Sequence, residues 1–294
     1  MNRILKTGFF LCISYLMITY CSAKEATDEI EDKQKSVVSF PFSPIVENST
    51  DIPSLRAYFT EDCLKYAEEI DEGLKTFSGK AGTLVPTGSL AIPLLWYTSQ
   101  HLTGSELITG GIGAWLLADL ESGLIHWGLD NIDGHNKNWP IYVRMMAQEF
   151  QWHHDFPYES AKLSYWECAR HGRAVAVPLL ISGALMSYCG SDYGSFIFTV
   201  AGVMGSQVPF IHHRLTHGAY DNNLIVKTLR KLRIIDTRAS HNLHHSHPTR
   251  SIHYCLFNGH TNFIVDPLTQ FIGSTFRFFR NWCGKKPRKT EEQN

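Results

Sequence analysis

The chain has 294 residues, 44% of them apolar, and a formal net charge of −1. That length allows one large domain or two small ones, and the balanced charge gives no electrostatic footprint for a nucleic acid. Seven cysteines stand scattered without a CxxC pair, which argues against a disulfide-stapled framework and leaves free thiols as the default.

Residues 1–23 carry a short basic head, an apolar run over 8–20 and the small-residue end Cys21-Ser22-Ala23. This is the pattern of a targeting segment, and the run is short for a bilayer crossing. Residues 24–54 are acidic and then rich in Pro and Ser, without helical or strand period, and read as a flexible tail. Residues 55–280 read as the folded domain, and 281–294 as a basic then polar tail.

Within the domain, residues 55–77 have the spacing of an amphipathic helix. Two apolar runs follow, about 84–99 and 105–120, the second rich in glycine, which lets membrane helices approach closely. A second pair, about 174–190 and 195–211, is separated only by a Gly/Ser/Asp turn. Each run is near the lower length limit for a span. The expectation is an all-α, integral-membrane four-helix bundle, with a pair of buried core helices as the soluble alternative for the first hairpin.

Two tight hairpins would leave everything outside their turns on one side of the membrane. His126 follows the second run, His153 and His154 lie between the hairpins, and His213 and His217 begin where the fourth run ends. His241, His244 and His245 stand at i, i+3 and i+4, a spacing that stacks three imidazoles on one helical face. A histidine-rich helical cap on one face of the bundle is therefore expected. Basic residues crowd that same side, which makes it cytosolic by the positive-inside rule. A cleaved signal peptide would deliver it to the lumen instead, so the two topological signals oppose each other. Residues 263–279 have the pattern of an amphipathic helix lying in the interface.

Neutral imidazole suits iron, zinc and copper, and so many histidines without cysteine pairs point to a site other than structural zinc, holding more than one ion. Imidazoles just beyond short spans place a metal at the depth of a lipid chain. Iron with O2 supplies an oxidant for unactivated CH2 groups that no side chain can. A membrane metal-transport protein is the non-enzymatic alternative, but the mid-sections of the runs lack the ionisable residues that line such a path. No HExxH is present for a zinc hydrolase.

Asp119 to Asn131, Glu149 to His154 with Pro157, His213-Arg-Leu-Thr-His217, and His241 to His245 with Pro248, Tyr254, Gly259 and Asn262 together resemble the lipid desaturases. That family includes plasmanylethanolamine desaturase and the plant plastid phosphatidylglycerol palmitate desaturase. The resemblance spans about residues 105–268. It implies a membrane diiron enzyme that takes O2 and two electrons, from a carrier such as cytochrome b5 or ferredoxin, and introduces a double bond into an alkyl or acyl chain of a glycerophospholipid.

By the same resemblance the metal ligands are His126, His153, His154, His213, His217, His241, His244 and His245. Asp130 and Gln151 match its flanking polar residues. Asp119, His171, His247 and His253 are read as possible supports to the ligands. The chain lacks further histidines of the animal branch, near Leu163 and Thr249, which leaves open a vinyl-ether or a trans acyl product. A diiron lipid hydroxylase remains the alternative within enzymes. The endoplasmic reticulum or another endomembrane is the expected location, with a plastid-type organelle as the alternative.

Overall fold

A computed structural model of the chain describes residues 55–218, 220–246 and 252–283. The targeting segment, the flexible tail, His247 and the basic tail beyond residue 283 lie outside the described residues.

Among the described residues every regular element is helical, the all-α class expected from the sequence. The main helices are α1 Glu61–Leu74, α2 Phe77–His101, α3 Gly104–Asn131, α4 Ile141–Asp155, α5 Tyr165–Tyr188 and α6 Asp192–Gly205. After α6 the chain breaks at Ser206 and resumes through a short turn, Val208–Phe210, into a π-helical turn, Ile211–Thr216. α7 Leu224–Lys231, α8 Arg238–Ser246 and α9 Asn262–Cys283 complete the fold.

Local chemistry sets the helix starts. α3 and α5 each open with a reciprocal capping box, Thr103 with Glu106 and Ser164 with Glu167, which satisfies amide groups that have no partner within the helix. The Ser191 hydroxyl accepts from the Gly194 amide at the start of α6, and Asn223 caps α7 in the same way. Between α5 and α6 the chain reverses through Gly190, whose φ of +79° is open to glycine at little cost.

α2, α3, α5 and α6 pack on one another, with α6 in contact with the other three. At Gly172 of α5 an added Cβ would run into the carbonyl of Ser206, which caps the end of α6, so a side chain there would force the two segments apart. α4 packs against α3 and α1, and α9 packs along α3.

The first and second expected spans fall within the longer helices α2 and α3 and the third lies in α5 up to Tyr188, whereas the fourth outruns α6, which ends at Gly205. Among the described residues only the stretch Asp192–Thr216 is both long and apolar enough to cross a membrane by length and composition. The other helices mix their apolar residues with charge as they run into the cap: Asp119, Glu121 and Asp130 lie on α3, and Glu167, Arg170 and Arg173 on α5. The apolar run over 105–120 takes in Asp119 and ends before Glu121 while α3 continues to Asn131, and α5 begins at Tyr165, ahead of the run that starts at 174.

Candidate metal centre

Most of the histidines that the sequence singled out converge at one end of the bundle. His153, His217, His241 and His245 form one group, and His126, Asp130, His154 and His244 a second; within each, one ligand atom per residue lies within 4.8 Å of the others. His153 and His154 join the groups, their ring centroids 4.6 Å apart at the end of α4. His126 and Asp130 sit one helical turn apart near the end of α3. α8 contributes to both groups because i, i+3 and i+4 share a face, with His244 on one side and His241 and His245 on the other.

Backbone carbonyls hold two of the three imidazoles of the second group, and the Nδ1 of the third, His154, is buried without a hydrogen-bond partner. The His126 Nδ1–H donates to the Tyr254 carbonyl at 2.9 Å and the His244 Nδ1–H to the Ile252 carbonyl at 2.7 Å. A carbonyl only accepts, so these contacts fix the proton on Nδ1 and leave each Nε2 lone pair pointing into the site. His153 is held likewise by the Phe150 carbonyl at 2.9 Å. In the first group, by contrast, the Nδ1 atoms of His241 and His245 are buried without a hydrogen-bond partner.

Nitrogen meets nitrogen throughout the site. The Nε2 atoms of His245 and His241 are 2.9 Å apart, those of His212 and His153 3.0 Å, and those of His126 and His154 3.3 Å. At that distance either a neutral Nε2–H of one ring donates to the lone pair of the other, or two lone pairs face each other across a position that a metal could take. Burial disfavours the charged imidazolium: His126 is driven down to about 3, first by burial and then by the positive charge its neighbours His244 and His154 would carry, against the pull of Asp130. His153, His241 and His245 are pushed well below the ordinary histidine range, first by burial and then by neighbouring imidazoles. Imidazole with one carboxylate is a donor set that iron, zinc or copper accepts, so the two groups could each hold a metal ion.

Asp130 supplies that carboxylate from inside its group. Its Oδ1 lies 2.9 Å from the His154 Nε2, and its Oδ2 3.4 Å from His126 and 3.5 Å from His244. Burial raises its pKa, but His126 and His154 outweigh burial and hold the carboxyl ionised.

His213 lies in neither group. Both its ring nitrogens are buried without a hydrogen-bond partner, while its neighbour His212, absent from the ligands expected from the sequence, reaches His153. The cause is the π-helical turn: i→i+5 bonding widens the backbone, so His212 and His217, five residues apart, stay on one face. The His212 ring is 4.6 Å from that of His241 and 4.9 Å from that of His217. The adjacent pair His212-His213 was the available signal.

Asp119 touches no imidazole. It is fully buried and accepts from the amides of Asn258, Gly259 and Thr261 and from the Thr261 hydroxyl. It therefore pins the loop whose Tyr254 carbonyl orients His126. His171 instead meets Glu149, at 2.8 Å, and the same carboxylate oxygen accepts from Arg170 at 2.9 Å. Burial pushes Glu149 upward, yet Arg170 and His171 hold it ionised. Gln151 donates to the Ile132 carbonyl, and the His253 amide donates to Asp266; neither residue joins the two groups.

The family model of the lipid desaturase domain matches residues 115–290. Fatty acid desaturase 4, chloroplastic, of Arabidopsis thaliana is 25% identical over 207 residues, 70% of this chain and 61% of that protein. Fatty acid desaturase 4-like 1, chloroplastic, of the same plant is 26% identical over 215 residues, 73% of this chain and 70% of that protein. The chain thus spans about three fifths of the first relative's length. No solved structure matches. With both histidine groups and the loop that orients them inside the matched region, the chain belongs to the lipid desaturase domain family.

Proposed function

We propose that the chain is a membrane-embedded diiron desaturase that introduces a double bond into an acyl chain of a glycerophospholipid, using O2 and two electrons from a carrier protein. The observation that carries this reading is the pair of adjoining donor groups in one buried site, one of imidazoles alone and one including Asp130. Iron bound at both groups would supply the O2-derived oxidant that an unactivated CH2 requires.

The residues of the chain have the remaining tasks. His153, His217, His241 and His245 would hold one ion, with His212 beside them; His126, Asp130, His154 and His244 would hold the other. The Tyr254, Ile252 and Phe150 carbonyls keep His126, His244 and His153 in the ligating tautomer. Asp130 offsets part of the charge of a divalent pair in a buried site. Phe150, Tyr254 and the surrounding core keep bulk water from the site.

Exposed apolar side chains support insertion in a bilayer. Val85, Ile92 and Trp96 on α2, Ile108 and Ile112 on α3, and Ile181 and Leu185 on α5 are each more than half exposed. So wide an apolar surface is costly in water and is suited to lipid. Because the relatives' names are those of chloroplastic fatty acid desaturases, we infer an acyl rather than an alkyl chain, and a plastid-type membrane rather than the endoplasmic reticulum.

Membranes carrying the full chain, given O2, a reductant and an electron carrier, test the proposal by lipid mass spectrometry. Loss of two hydrogens from phosphatidylglycerol acyl chains is the expected result. Gain of one oxygen would identify a hydroxylase, and a vinyl ether formed from plasmanylethanolamine would move the substrate to the alkyl branch. Unchanged lipids with a fully metal-loaded protein would leave a metal-binding or transport role in place of the enzyme.

A further inference from the structure

α7 and the turn after it present an outer face that neither the metal centre nor the bundle uses. Val226 is buried and Leu229 packs against the core, whereas Leu224 is 78% exposed, Ile225 56% and Leu232 62%. At about 100° per residue, Leu224, Ile225, Thr228 and Leu232 share one helical face, with Lys227 and Lys231 along its edge. Lys227, Lys231 and Arg233 are exposed. Arg230 differs, since it turns inward to Asp221 and the Leu215 carbonyl.

The turn's position along the bundle is set by hydrogen bonds. The Trp115 Nε1–H donates to the Ile234 carbonyl at 3.1 Å, and the His260 ring pairs with the Arg233 carbonyl at 3.2 Å. Trp115 lies next to Leu116 and one helical turn from Ile112, both exposed on α3. The exposed Leu232 and Ile234 just past the end of α7 thus adjoin the cap-side edge of the apolar surface, with Lys231 and Arg233 beside them and the aliphatic face of α7 leading up to them. Aliphatic side chains would enter the acyl boundary while the lysine stems carry their charges out to headgroup phosphates.

We propose that α7 and the turn through Ile234 lie in the leaflet interface on the histidine side and dock on anionic phospholipid headgroups. This rests on the reading that the bundle is membrane-embedded. An acidic protein surface would match the three positive charges, but it gives no account of aliphatic residues that continue the apolar surface of α3, so lipid is the occupant.

Hydrogen–deuterium exchange of the full chain in nanodiscs tests the proposal, with phosphatidylcholine alone or mixed with phosphatidylglycerol. Amides of residues 224–235 should exchange more slowly when the anionic lipid is present, and soluble glycerol phosphate should have no such effect. Each of Lys227→Gln, Lys231→Gln and Arg233→Gln should reduce that protection by about fivefold, the value of one basic residue near an anionic surface. Leu232→Ser should reduce it in both lipids. Slow exchange in α2, α3, α5 and α6 reports separately that the bundle is inserted and the variants folded. Protected bundle helices with residues 224–235 indifferent to lipid charge would overturn the docking and leave the membrane reading standing; bundle helices that exchange in nanodiscs as fast as in detergent would remove both.

Discussion

The two donor groups of the metal centre are built on different terms. The His126, Asp130, His154 and His244 group has two imidazoles tied by backbone carbonyls and a carboxylate among the ligands, so the chain sets its geometry in advance. The His153, His217, His241 and His245 group has no carboxylate. A carbonyl ties His153, but the Nδ1 atoms of His241 and His245 are buried without a partner. Rings without such ties, His154 among them, would take their orientation from a bound ion. With a carboxylate and two carbonyl-tied rings against one such ring, the half that contains Asp130 is the more preorganised, a difference that variants and metal removal can break.

The largest effect is expected from removing metal altogether. An ion held at about 100 times its dissociation constant stabilises the fold by about 2.7 kcal/mol, so stripping both should lower the thermal midpoint well beyond any single substitution in the site. Exchange should rise more in α8 and the π-helical turn than around His126, because those are the elements that lose their organising partner. Equal loosening of both groups would erase the contrast between them.

Next come the ligands. His241→Ala should cost the metal of the imidazole group and Asp130→Ala that of the other, each ending turnover while leaving about half of the bound metal, as metal analysis of the purified chain would read. The adjacent pair sharpens the point: His212→Ala should lose metal from the imidazole group, while His213→Ala should retain it. The reverse outcome would place His213 inward and the π-helical turn in a different register.

A smaller effect is expected at Asp119. Asp119→Asn removes an acceptor for three amides and a hydroxyl, which frees the loop that orients His126. A loss of about 10- to 100-fold in metal affinity or activity is expected for such an indirect support. Metal content restored at high iron concentration, with the variant still folded, would distinguish this role from ligation.

Just below neutral pH, the smallest effect is that of pH itself. The folded His126 is held at about 3 against an ordinary value of 6.5, so between those values the unfolded chain binds a proton that the folded one refuses. Stability from this group is therefore full above about pH 6.5 and declines as pH falls toward 3. The depressed His153, His241 and His245 act in the same direction. Acid titration of the metal-free chain should show this loss by thermal melting, and a flat profile below pH 6.5 would count against imidazoles buried neutral.

What could be read in the sequence was whatever depends on ordinary helical periodicity. His241, His244 and His245 converge because i, i+3 and i+4 share a face, and His126 with Asp130 follows the same rule on α3. The Gly/Ser/Asp turn that reverses the chain at Gly190 was visible as local chemistry. The placement of His212 was not, because a π-helical turn changes which neighbours share a face and leaves no periodic signature. Nor was the task of Asp119, whose partners lie some 140 residues further along, at Asn258 to Thr261. The helix lengths escape a hydropathy reading for a third reason: hydropathy ends where charges begin, whereas hydrogen-bonded helices continue through them into the cap.

The most direct measurement is the metal content and Mössbauer spectrum of the full chain purified from iron-supplied cells. About two iron ions per chain in a coupled pair are expected, reduced to about one in Asp130→Ala. One iron, or zinc in its place with no coupled pair, would contradict it.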